Sequence, residues 1–234
     1  MDLFCQKAIE CGASRIRIAD TVGILSPMKT QKLFNHLQSI CSKVEWEFHA
    51  HNDLGMATAN TLTALESGAT HASVTVNGIG ERTGNAPLEE VALALDVEGD
   101  GYSGFALSKL SPLSQLVAKC SGRMIPPFKP VVGERIFEHE SGIHCAGLLK
   151  DSRSYEAFAP DEVGHKNRSF ILGKHSGTTV LMRLLAQEGE ELDRKTASML
   201  LELVKERAES DKKSLDIDEV RDLLQRVRHM QNAI

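Results

Sequence analysis

Apolar and polar positions alternate from Arg15 to Ala19, and the run ends in Asp20-Thr-Val-Gly23, the pattern of a strand entering a loop. A helical period follows over residues 27–42, with Leu33, Phe34 and Leu37 on one face and Pro27 suited to the first turn. A second strand is predicted from Val44 to Ala50, ending in His51-Asn-Asp53. A helix of small and apolar residues then spans Ala57 to Glu66, with Gly68 closing it. The third strand, Ala72 to Val76, runs into Gly78-Ile-Gly-Glu-Arg-Thr-Gly84, and a further helix covers Leu88 to Leu95. Three successive strand–helix units imply a parallel sheet with right-handed crossovers. Polar residues cluster at the C-terminal end of each strand, where α/β barrels carry their active sites.

Beyond Gly99 the pattern breaks up. Gly99, Gly101 and Gly104, then Pro112, Pro126, Pro127 and Pro130, punctuate shorter segments. From about Gln187 to Ile234 the chain reads as two charged amphipathic helices parted near Ser210–Ser214, with the Leu and Val stripe of residues 199–204 as packing. The expected architecture is α/β: a partial TIM barrel of three βα units over residues 1–105, then a linker and mostly helical region over 106–234. Composition narrows the class. With 234 residues, 41% hydrophobic and 25% charged, the chain is an ordinary soluble globular protein. A net charge of -5 argues against nucleic acid as a partner. No apolar run reaches the roughly 18 residues of a membrane span, and the N-terminus lacks the pattern of a signal peptide. Five cysteines without a CxxC spacing fit a reducing cytoplasm.

Four stretches could carry chemistry. His49 and His51, two apart on a strand end, lie on one face about 6.5 Å apart and can ligate one divalent metal; they can equally be two satisfied loop histidines. Asn52 and Asp53 are placed to fix the imidazole tautomers. Gly78-x-Gly80-x-x-x-Gly84 misses the dinucleotide spacing by one residue, leaving an anion-facing loop or a tight turn. Phe137-Glu-His-Glu-Ser-Gly-Ile-His144 brings two histidines and two carboxylates together; His144 and Tyr155 are candidate acid–base groups, and Cys145 reads as structural. Gly173-Lys-His-Ser-Gly177 is a polar turn at a helix start.

In this order these segments resemble the Claisen-condensing acyltransferases of the DRE-TIM metallolyase superfamily, and among them the homocitrate synthases of the nitrogen-fixation type. The matching stretches are Ala19-Asp-Thr-Val-Gly23, His49-Ala-His-Asn-Asp-Leu-Gly-Met-Ala57, Gly78-Ile-Gly-Glu-Arg-Thr-Gly-Asn85 with Leu88-Glu-Glu90, His139-Glu-Ser-Gly-Ile-His144 and Gly173-Lys-His-Ser-Gly177. The resemblance implies a TIM barrel condensing acetyl-CoA with a 2-oxo acid, foremost 2-oxoglutarate. Isopropylmalate, citramalate and Re-citrate synthase-like activities are the alternatives. It makes His49 and His51 metal ligands for Mg2+ or Mn2+, with Asn85 a third contributor. Thr21 is implied to bind a substrate carboxylate and Glu81 to lie on the acetyl-CoA side. His144 and Tyr155 are the implied acid–base pair, capping the neighbouring subunit's site in a homodimer. His165 stands where the family commonly has arginine. The family's first barrel strand, with its Arg-Asp-Gly signature, has no counterpart here, which leaves three of eight strands. The chain is then expected to be a truncated product, a fragment, or a C-terminal half that pairs with a separate N-terminal half-barrel polypeptide; the alternative to an enzyme is a non-catalytic interaction subunit. Its uncovered inner face is expected to drive self-association.

Overall fold

Three parallel strands carry the first half of the computed structural model, which describes residues 1–99, 104–148 and 150–232. The chain divides into two compact units, Met1–Gly133 and Glu134–Ile234. In the first, β1 (Arg15–Asp20), β2 (Glu45–Ala50) and β3 (His71–Ser73) lie in that order, with Ile18 opposite Phe48 and Phe48 opposite Ala72. The crossovers are α2 (Pro27–Ile40) and α3 (Ala57–Glu66), preceded by α1 (Asp2–Glu10) and followed by α4 (Leu88–Glu98) and α5 (Leu110–Ser121). Pro27 occupies the first turn of α2, where its missing N–H has no helical partner to lose. Gly68, at φ +102°, follows the end of α3, as a helix stop requires.

One face of the sheet is the core. Trp46, Phe48 and Ala50 are fully buried against Phe34, Leu37, Ala57 and Ala64, and the Phe34 and Phe48 rings meet edge-on at 5.3 Å. The other face differs from the uncovered apolar surface expected of an open barrel. It carries Arg15 and Arg17 on β1, Glu45, Glu47 and His49 on β2, and His71 and Ser73 on β3. Arg17 pairs with Glu47 at 2.7 Å and Arg15 with Glu45 at 3.0 Å. A cross-strand ladder of opposite charges satisfies this face in water, so it supplies no apolar drive to self-association. The third strand is shorter than expected: after Ser73 the chain turns, and Thr75 bridges to Pro87.

In the second unit β4 (Glu138–His139) and β5 (Ser169–Phe170) pair in parallel, with α6 (Gly142–Leu148) between them. Then α7 (Thr178–Gln187), α8 (Arg194–Asp211) and α9 (Ile217–Asn232) pack around Leu181, Leu185, Leu200, Val204, Val220 and Leu224. The stripe at 199–204 is packing: Leu200, Leu201 and Val204 are buried, with Met199 and Leu203 against them. Asp193 caps α8 by accepting from Thr196 N–H at 2.9 Å. Gly101 and Ile234, read from the sequence as punctuation and helix end, lie outside the described residues. No helix among the described residues is long and apolar enough to cross a membrane.

Candidate active site

The C-terminal ends of β1, β2 and β3 and the loops leaving them hold five of the sequence-derived candidates: Thr21, His49, His51, Glu81 and Asn85. His49 and His51 stand on the same side of β2 and its exit, their rings edge-on with centroids 4.8 Å apart. Their outer nitrogens are fixed by neighbours that the sequence does not single out. His51 Nδ1 donates to the Asp20 carbonyl at 3.1 Å, and His49 Nδ1 meets Ser73 Oγ at 3.1 Å. Each partner comes from the adjacent strand, which is why sequence spacing alone could not find it. Both imidazoles are thereby oriented through Nδ1, leaving Nε2 as the ligating atom. Burial, and next the charge of His51, pushes the His49 pKa below its ordinary value, favouring the neutral ring that a metal needs.

Asn52 and Asp53, expected to fix the tautomers, do other work. Asn52 Oδ1 accepts from Ala57 N–H at the start of α3. Asp53 takes a two-pronged contact from Arg82, at 2.7 and 2.9 Å, which holds the Asp53 carboxyl below its usual range. Arg82 also donates to the Thr21 carbonyl at 2.8 Å, so one guanidinium joins all three loops. It does so from a left-handed backbone, φ +55°. Gly23 is required beneath this contact: a Cβ there would meet Asp53 Oδ2 at 2.5 Å.

Asn85 bridges to His51 in antiparallel fashion. Its Nδ2 donates to the Ile79 carbonyl at 3.1 Å, while its buried Oδ1 has no partner. A buried acceptor left open beside two oriented imidazoles is the donor set a divalent cation would complete. Neighbouring carboxylates are otherwise engaged: Asp20 accepts the Ile24 and Leu25 N–H groups at 3.1 and 2.9 Å, Glu47 holds Arg17, and Asp53 holds Arg82. Among the described residues no group of three or more His, Cys, Asp and Glu is placed for a metal. Two imidazoles and an amide therefore fit a cation but lack the carboxylate that anchors Mg2+ or Mn2+. The Glu81 side chain is 87% exposed and lies 3.8 Å from Arg82.

Below the Gly78–Gly84 loop lies a buried charge network. Asn77, left-handed at φ 62°, donates its N–H to Glu89 Oε2 at 3.0 Å and its Nδ2 to the Ser114 carbonyl at 3.0 Å. Lys129 Nζ lies 3.1 Å from Glu89 and 3.0 Å from Glu90. The network ties α4, α5 and the 123–133 stretch to the loop, which places them all in the first unit.

In the second unit, α6 presents His144, and the Tyr155 ring lies against it with centroids 4.5 Å apart and planes 32° apart. The pair is exposed. Cys145, next to His144, is fully buried; burial raises its thiol pKa, which suits packing and not nucleophilic attack. Glu140 binds the His175 N–H at 3.0 Å and Ser214 Oγ at 3.3 Å, so the 139–144 and 173–177 motifs brace one another.

Residues 3–117 match the HMGL-like family, and residues 131–213 match the homocitrate synthase post-HMGL domain-like family. A 2-isopropylmalate synthase 2 of Caldanaerobacter subterraneus is 44% identical over 205 residues, 88% of this chain and 53% of that protein. Homocitrate synthase 1 of a Nostoc species is 43% identical over 226 residues, 97% of this chain and 59% of that protein. A 2-isopropylmalate synthase of Bacillus cytotoxicus is 43% identical over 217 residues, 90% of this chain and 43% of that protein. The chain spans about half the length of the curated relatives it matches.

Proposed function

We infer that this chain, which belongs to the HMGL-like family with a homocitrate synthase post-HMGL domain, is the C-terminal portion of an acyltransferase condensing acetyl-CoA with a 2-oxo acid. The carrying observation is the His49–His51 pair, both rings oriented through Nδ1, beside the unpartnered Asn85 Oδ1. In this reading β1–β3 are three βα units of a TIM barrel, and 2-oxoglutarate is the oxo acid.

A divalent cation bound by His49, His51 and Asn85 supplies a Lewis acid for the oxo-acid carbonyl. The Thr21 hydroxyl binds the oxo acid's carboxylate, with its loop held in place by Arg82. Glu81 lies on the acetyl-CoA side. His144 and Tyr155 move the protons: one is lost from the acetyl methyl, and one is gained by the oxygen that was the ketone. The methyl carbon bonds to C2 of the oxo acid. Water then cleaves the thioester and CoA leaves as the thiol. The protein works as a homodimer whose His144 and Tyr155 serve the neighbouring subunit.

The Nostoc homocitrate synthase supports 2-oxoglutarate, since the similarity runs over 97% of this chain. The 44% identity to a 2-isopropylmalate synthase favours a second reading in which 2-oxoisovalerate is the acceptor. CoA release in the protein with a complete barrel, measured against both acids with pyruvate and oxaloacetate beside them, tests the assignment. The highest kcat/KM for 2-oxoglutarate is expected; preference for 2-oxoisovalerate would establish the second reading, and no release with any acid would overturn both.

A further inference from the structure

Gly147 sits inside α6, one turn after His144, so the two share a helix face. Its backbone is not in the left-handed region, and nothing about its conformation calls for glycine. A glycine within a helix is destabilising relative to alanine. What needs the missing side chain is Tyr155. A Cβ on Gly147 would lie 2.4 Å from Tyr155 Cε2 and 2.9 Å from Cδ2, inside any permitted contact. The phenol ring thus rests directly on the α6 backbone, where it can stack beside the His144 imidazole. The next residue anchors the chain: the buried side chain of Glu156 is gripped by Arg168 at 3.0 and 2.7 Å and by His139 at 3.1 Å.

We propose that Gly147 is a positioning residue, the seat that lets the Tyr155 phenol lie against His144. The proposal deepens the acyl-transfer reading and rests on it for its functional meaning, but its geometry can be tested without turnover. The sequence contains two tyrosines, Tyr102 and Tyr155, so Tyr102→Phe leaves the Tyr155 ring as a single spectroscopic reporter. In that background, proton NMR should show cross-relaxation between the Tyr155 and His144 ring protons. Gly147→Ala should abolish it while the far-UV circular dichroism keeps its helical signal. Persistence of the cross-peak in Gly147→Ala would overturn the seat.

Should Gly147→Ala lower the melting temperature, Gly147→Ala/Tyr155→Ala decides the matter. Removing the ring relieves the clash, so recovery of the melting temperature supports the seat, and no recovery refutes it. In the complete enzyme, Gly147→Ala should lower kcat toward the level of Tyr155→Phe, with no further loss when the two are combined. Additive losses would contradict it. If Tyr155→Phe keeps full turnover while the spectra behave as stated, the acyl-transfer role of Tyr155 fails and the seat stands.

Discussion

Glu156→Gln is the sharpest probe of how the second unit holds its exposed His144–Tyr155 pair. The Glu156 side chain is only 5% exposed, and its two oxygens accept from Arg168 Nε, Arg168 Nη2 and His139 Nε2. Glutamine keeps one carbonyl for this fork but turns an amide N–H2 toward the other guanidinium nitrogen. A lost charge-assisted bond and a donor facing a donor together cost about 2 kcal/mol. In a unit of this size that lowers Tm by about 8–16 °C. The pH dependence has a definite sign. Burial alone would raise the Glu156 pKa, but the Arg168 and His139 bonds outweigh it and hold it below the ordinary value. The contribution is therefore present above the unfolded glutamate pKa of about 4.3 and fades as pH falls from there toward the lower folded value. Thermal melts of parent and variant should differ widely at pH 7 and converge as pH falls through the lowered folded value. Trp46, the one tryptophan, lies in the first unit, so the melts are followed by amide exchange at the β4–β5 pair. An equal gap across this fall in pH, or none at pH 7, would refute the account of this clamp.

Further expectations follow from other contacts. Lys129→Met strands the buried Glu89 carboxylate and should destabilise the first unit by about 3–5 kcal/mol, read by Trp46 fluorescence in urea; an unchanged midpoint would count against the network. Ser73→Ala removes the partner of His49 Nδ1 and should weaken Ni2+, used as an imidazole-seeking probe, by about 10-fold in calorimetric titration, whereas equal affinity would mean that Ser73 does not orient the ring. His144→Ala mixed with His51→Ala in the complete enzyme should recover part of the parent's turnover through mixed dimers; no recovery would remove the trans arrangement.

The βα rhythm and the shared face of His49 and His51 were legible because strand alternation and helical period are local properties. The partners that orient those rings were not. Asp20 and Ser73 reach the imidazoles only through strand neighbours, and the register that aligns them is set by packing. Helix α5 escaped notice because Pro112 reads as punctuation, yet it falls in the first turn, where no N–H is needed. Helix α1 buries only Cys5 and leaves Leu3 and Phe4 exposed, so it shows no apolar stripe. Arg15, Arg17, Glu45 and Glu47 are all visible in the sequence, but their gathering on the inner sheet face is not. Their cross-strand pairing needed the register.

The central proposal is that His49 and His51 hold the metal of an acyl-transfer site. The most direct measurement is CoA release from acetyl-CoA with 2-oxoglutarate and Mg2+ or Mn2+. It compares the 234-residue chain alone with the chain mixed with a polypeptide supplying the remaining barrel strands of a relative, and with the same mixture carrying His51→Ala. Two imidazoles and one amide without a carboxylate predict silence from the chain alone, release from the mixture, and loss of that release with His51→Ala. Sustained release by the chain alone, or undiminished release with His51→Ala, would contradict it.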